Sequence, residues 1–155
     1  MKIEDFEFLQ ELLTNGKIVL TRNKNYADCI YESNIPYRPG VYLVYSLNIE
    51  GLDSDLLYYG KAGVTDYSGK AILNFHQLPK RLIATTKTPE NHPDFANRKD
   101  ITRAKLWPWY VNNLYIYGIK IYWFVTKWPN QNPNDFEKKI KSQLKKNYPK
   151  WKKSI

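Results

Sequence analysis

An α+β fold, built on a small three-stranded antiparallel sheet flanked by helices, follows from three observations in this 155-residue chain. Two short runs rich in β-branched and aromatic residues, GVYLVYS at 40–46 and DLLYYG at 55–60, flank a polar connection and read as a hairpin with a long loop. A third such run, YGIKIYWFVTKW at 117–128, is the strongest strand signal in the chain. Around these runs, apolar residues recur at helical spacing. The order is one helix, two paired strands, two helices, one strand and one helix.

Each element has its own signature. IEDFEFLQELLTNG places Phe6, Leu9, Leu12 and Leu13 on one side of an amphipathic opening helix, with Gly16 after Asn15 as its stop. KIVLT reads as a short strand, and NIPYRPG is turn chemistry that leads into the hairpin. In AILNFHQLPKRLIATT the helix starts near Pro79, because proline suits a first turn, and PENHPDFANRKD is a loop. DITRAKLWPWYVNN is a proline-interrupted helix. The last helix, in QNPNDFEKKIKSQLKKNYP, is expected to be capped by Asn134 and to end near Pro149. That cap would put Glu137 at the third helical position, as in a capping box.

The length suits a single domain, taken as residues 1–155. Cys29 is the only cysteine, which excludes a disulfide framework or a multi-cysteine zinc site, and His76 and His92 add little to a metal case. No run is long and apolar enough to span a membrane, and MKIEDFEFLQ is acidic where a signal peptide is basic, so a cytoplasmic protein with no membrane partner is expected. The net charge of +9 is local. Residues 1–100 hold 12 basic and 13 acidic residues, whereas residues 101–155 hold 12 and 2. Eight lysines between Lys138 and Lys153 make a face suited to nucleic acid, whose phosphates they neutralise with release of counterions. A solvated helix face is the bland alternative.

The hairpin carries a finer pattern. GVY at 40–42 and YYG at 58–60, followed by Lys61 and Ala62, set a tyrosine close to a glycine on each strand. Downstream come Arg81 in LPKRLIATT, the strand IKIYWFV, Glu137 in NDFEKKI and the segment PKW at 149–151. This ordered set resembles the GIY-YIG nuclease family over residues 38–152, with residues 1–37 as an N-terminal helical extension. Departures from the family pattern are a longer hairpin loop, an insertion VTDYSGKAILNFHQ before Arg81, and Lys152 where the family has asparagine.

The resemblance implies a metal-dependent phosphodiester hydrolase. Glu137 would hold Mg2+ or Mn2+, a hard cation that takes oxygen ligands, and Arg81 would fork onto phosphate oxygens. Tyr42 and Tyr58 would lie close together, one of them acting as general base once its pKa falls below the ordinary value of about 10. Lys61 would lower that pKa or bind phosphate, and His76 and Thr85 flank Arg81. Gly60 would let phosphate approach the backbone, while Lys80, Lys138, Lys141 and Lys145 would follow it as nucleic-acid contacts. Structural alternatives stand beside these roles: cross-strand aromatic packing for the tyrosines, a surface ion pair for Arg81 and capping for Glu137. Trp107, Trp109, Trp123 and Trp128 are expected in the core or at its rim. The implied activity is a restriction-type endonuclease on double-stranded DNA, working as a homodimer, with the opening helix as a docking element. The alternative is a catalytically inactive nucleic-acid-binding module.

Overall fold

The computed structural model describes residues 1–65, 71–72, 77–114, 116–127, 130–145 and 149. His76, Trp128, Trp151 and Lys152 lie outside the described residues. Two 3-10 turns, Ile3–Asp5 and Glu7–Glu11, precede β1 (Asn15–Thr21), α1 (Tyr26–Glu32), β2 (Gly40–Leu47) and β3 (Asp53–Ala62). A short ribbon of β4 (Val64–Thr65) and β5 (Ala71–Ile72) leads to α2 (Leu78–Ile83). A second ribbon, β6 (Thr85–Lys87) with β7 (Asp100–Thr102), leads to α3 (Arg103–Asn113), then β8 (Gly118–Val125) and α4 (Pro133–Leu144).

The α+β class is as expected, but the main sheet has four antiparallel strands, in the order β1-β8-β2-β3, and not three. The fourth strand comes from KIVLT together with Asn15 and Gly16. Gly16 is therefore no helix stop. It faces the Trp123 indole across the β1–β8 ladder, and a Cβ there would meet that ring at 2.4 Å.

The opening helix is also replaced. Phe6, Leu9 and Leu12 are buried at intervals of three, which is the period of a 3-10 helix, whereas Leu13 is 85% exposed. The three buried side chains pack with Val41, Leu43, Tyr45, Phe136 and Ile140, so the segment closes one face of the sheet.

Strand β2 is buried along its whole length because helices cover both faces of the sheet. Side chains alternate between the faces. Tyr42 and Val44 join a core with Tyr26 and Ile30 of α1, Leu78 and Leu82 of α2, and Leu106, Trp107 and Val111 of α3. Val41, Leu43 and Tyr45 meet the N-terminal turns and α4. Trp107 and Trp123 are buried, in keeping with their expected core placement. Helix α1 escaped the sequence reading, although Asn25 caps it by accepting the Asp28 N–H at 3.0 Å. Helix α3 runs through Pro108, which the sequence marks as an interruption.

The loop between β6 and β7 folds over His92. Its Nδ1 accepts the N–H groups of Asp94 and Phe95 at 3.1 Å each, and its ring packs against Phe95, Trp109 and Tyr110. Burial holds the His92 pKa below 6.5, with Asp94 working in the opposite direction. Protonation would put a hydrogen on Nδ1 and break both bonds. Because the unfolded chain binds this proton more readily, the stability from His92 is present above about pH 6.5 and is lost as pH falls through the lower folded value. His92→Asn keeps a side-chain acceptor without the charge. Its melting temperature should fall less than wild type between about pH 6.5 and 5, a difference thermal melts would show.

Candidate active site at the open edge of the sheet

Strand β3 is an edge strand, and a cavity of about 380 Å3 lies against it. Its walls come from four separate parts of the chain: Tyr58, Gly60 and Lys61 of β3, Arg81 of α2 with Thr85–Lys87 of β6, Arg103 at the start of α3, and Glu137 of α4. Helix α4 packs on the opposite face of the sheet from α2 and α3. Glu137 nevertheless shares the cavity with Tyr58 and Arg81, because a site at the edge of a sheet is open to both faces.

The tyrosine pair forms as the motif implies, but its members differ. Tyr42 stands opposite Gly60 in the β2–β3 ladder, and its ring stacks on Tyr58 with centroids 6.1 Å apart and planes 19° from parallel. Tyr42 is fully buried and its hydroxyl makes no normal hydrogen bond. Burial pushes its pKa up to about 12 against the guanidinium of Arg103, Tyr58 adds to the rise, and Arg81 opposes it. Tyr42 is thus the wrong phenol for a base at neutral pH, and Tyr58 is the one that lines the cavity.

Gly60 is not a turn residue. It sits inside β3, where the Tyr42 phenol lies across it, and a Cβ would meet the Tyr42 hydroxyl at 2.5 Å. Tyr42 cannot yield, since Tyr58 and Trp107 pack against its ring. Gly60→Ala should cost about 1–3 kcal/mol through overpacking. A chemical-denaturation midpoint unchanged from wild type would count against this geometry.

Lys61 alternates to the α4 side, where its Nζ donates to Asn134 Oδ1. Held there, it presents a charge at the rim of the cavity. Asn132 caps α4 by accepting the Asn134 N–H at 2.9 Å, so Asn134 is the second helical residue and Glu137 lies beyond the capping turn. The capping-box role is excluded for Glu137. Helix α4 ends at Leu144, short of Pro149. Lys138, Lys141 and Lys145 are exposed on it, and Lys141 follows Glu137 by one turn on the same side. Lys80 is exposed on α2. His76 cannot be placed because it lies outside the described residues.

Arg103 was not among the residues singled out from the sequence. It is 2% exposed, with Nη1 donating to the carbonyls of Ala84 at 3.2 Å and Thr85 at 3.1 Å, and Nη2 reaching the Tyr58 hydroxyl at 3.5 Å. Burial opposes its charge, while the phenols of Tyr42 and Tyr58 favour it and leave its pKa raised. The only sequence signal was its place among five arginines in a chain of 19 lysines.

Four cations, Lys61, Lys87, Arg81 and Arg103, therefore line one cavity with one carboxylate, Glu137. The chemistry on offer is anion binding next to a phenol and a single oxygen ligand. Comparison with known proteins finds no matching family model, no similar curated protein and no similar solved structure. Among the described residues, no helix is long and apolar enough to cross a membrane.

Proposed function

We propose that the chain is a divalent-metal-dependent DNA endonuclease of the GIY-YIG kind. The observation that carries the reading is the cavity itself, where Tyr58, Lys61, Arg81 and Glu137 meet from positions far apart in sequence. Four of the residues expected for one reaction share one cavity. A structural hairpin has no need of that.

The residues present offer Mg2+ or Mn2+ one carboxylate, that of Glu137. Among the described residues, no group of three or more His, Cys, Asp or Glu gathers to hold a metal. Glu137 would be its one protein ligand, with phosphate oxygens and water completing the shell, which suits a cation that binds by few carboxylates and keeps its waters. When bound, such an ion polarises the phosphate and balances charge on the leaving oxygen.

The rest is done by the chain. Arg81 takes phosphate oxygens in a planar fork and fixes the phosphorus against Tyr58. The Tyr58 oxygen orients the attacking water and, as phenolate, accepts its proton. Tyr42, protonated at neutral pH, backs the Tyr58 ring. Lys61 and Lys87 add positive charge along the path of the backbone, which the exposed Lys80, Lys138, Lys141 and Lys145 extend. Cleavage of both strands at a symmetric site would require a homodimer, as in restriction-type enzymes.

Plasmid cleavage with and without Mg2+ or Mn2+ tests the proposal on wild type, Arg81→Ala and Glu137→Ala. Metal-dependent nicking or linearisation, lost in both variants, is the expected result. Salt-dependent binding with no cutting under either metal would instead make the chain a nucleic-acid-binding module. Absence of any salt-dependent DNA affinity would remove both readings.

A further inference from the structure

Arg103 is a buried charge without a carboxylate beside it among the described residues. A guanidinium taken out of water normally meets a carboxylate, because desolvation of a lone charge is costly. Arg103 has no ion-pair partner among the described residues. Its neighbours are two backbone carbonyls, a long hydrogen bond to Tyr58, and the rings of Tyr58 and Trp107, each centred 5.9 Å from its guanidinium carbon. Its Nε is buried without any partner. The surroundings orient the fork, and no carboxylate among the described residues meets its charge.

Arg103 also lines the cavity that Arg81 lines, and both guanidiniums act on the buried Tyr42 phenol. Arg81 Nε is likewise buried and unpartnered. Two guanidiniums line one small cavity, and their planar forks suit the oxygens of a single phosphate. We propose that Arg103 is a second phosphate-holding guanidinium, sharing with Arg81 the phosphate that enters at the β3 edge. The identity of that anion as a nucleic-acid phosphate rests on the nuclease reading. The presence of an anion site does not.

The test uses inorganic phosphate as probe, with chloride at matched ionic strength as the reference. About 20 mM phosphate should raise the melting temperature of wild type by about 4 °C if it binds with millimolar affinity. Arg103→Met should lose at least about half of that increment, and so should Arg81→Met, whereas Arg98→Met, outside the cavity, should keep it all. The readout is the increment, so a general loss of stability in a variant does not mimic it. If Arg103→Met fails to fold, Arg103→Lys keeps the charge without the fork and should show a reduced increment. Increments equal to wild type in the folded Arg103 variants would overturn the proposal.

DNA cleavage by the same preparations separates the two claims. If wild type cuts DNA, Arg103→Lys should lower kcat/KM by about 10^2-fold. If wild type cuts and the Arg103 variants keep both activity and increment, Arg103 alone is misassigned. A wild type that never cuts, with phosphate increments that still depend on Arg103, would leave the anion site standing and remove the nuclease reading.

Discussion

Replacing Tyr58 by phenylalanine should lower metal-dependent DNA cleavage by about 10^2- to 10^4-fold, the range for loss of a positioned acid–base group. The melting temperature should stay within about 3 °C of wild type, because the ring and its stacking on Tyr42 are retained. Tyr42→Phe is the informative contrast. Its hydroxyl is buried, lacks a normal hydrogen bond and keeps its proton up to about pH 12. Its removal should cost no more than about 10-fold in rate and leave the fold as stable or slightly more so, since an unsatisfied buried polar group is eliminated. Single-turnover cleavage of both variants, beside their thermal melts, checks the pair. Equal losses from the two substitutions would mean that the cavity opens further in the complex and admits Tyr42.

Glu137→Gln is expected to separate cutting from binding. With the single cavity carboxylate neutralised, the proposed metal would lose its protein ligand, and cleavage should fall by about 10^3-fold or more. DNA binding without metal should become tighter, because the one carboxylate that lines the cavity with four cations is neutralised. Glu137 lies past the capping turn of α4, so stability should change by less than about 1 kcal/mol. Fluorescence anisotropy in a chelating buffer measures the binding arm over a range of salt. Weaker binding together with lost cleavage would point to a structural role for Glu137.

Much of this arrangement was legible in the sequence, for reasons that differ by element. The β2–β3 hairpin and β8 announce themselves through dense β-branched and aromatic runs. Pro79 and the Asn-Pro-Asn stretch mark where α2 and α4 begin. The failures lie where local pattern is ambiguous or where meaning is tertiary. Apolar residues three apart fit an α-helix and a 3-10 turn alike, and only the exposure of Leu13 separates them. Gly16 and Gly60 look like punctuation, yet each is a place where a ring from the neighbouring strand lies across the backbone. Arg103 looks like any basic residue at the start of a helix. Its importance comes from the carbonyls of Ala84 and Thr85 and from a phenol 45 positions earlier, which no local window contains.

The strand order has a consequence for biosynthesis. Strand β8 lies between β1 and β2, so residues 15–21 have their sheet partner only after residues 118–125 have been made. Glu137 comes later still. Contacts of such long sequence separation close slowly, and the chain emerging from a ribosome holds the hairpin tyrosines well before it holds the glutamate. On the proposed nuclease reading, the site would stay incomplete until α4 has been made, so the last strand and helix to be synthesised would also be the ones that complete it.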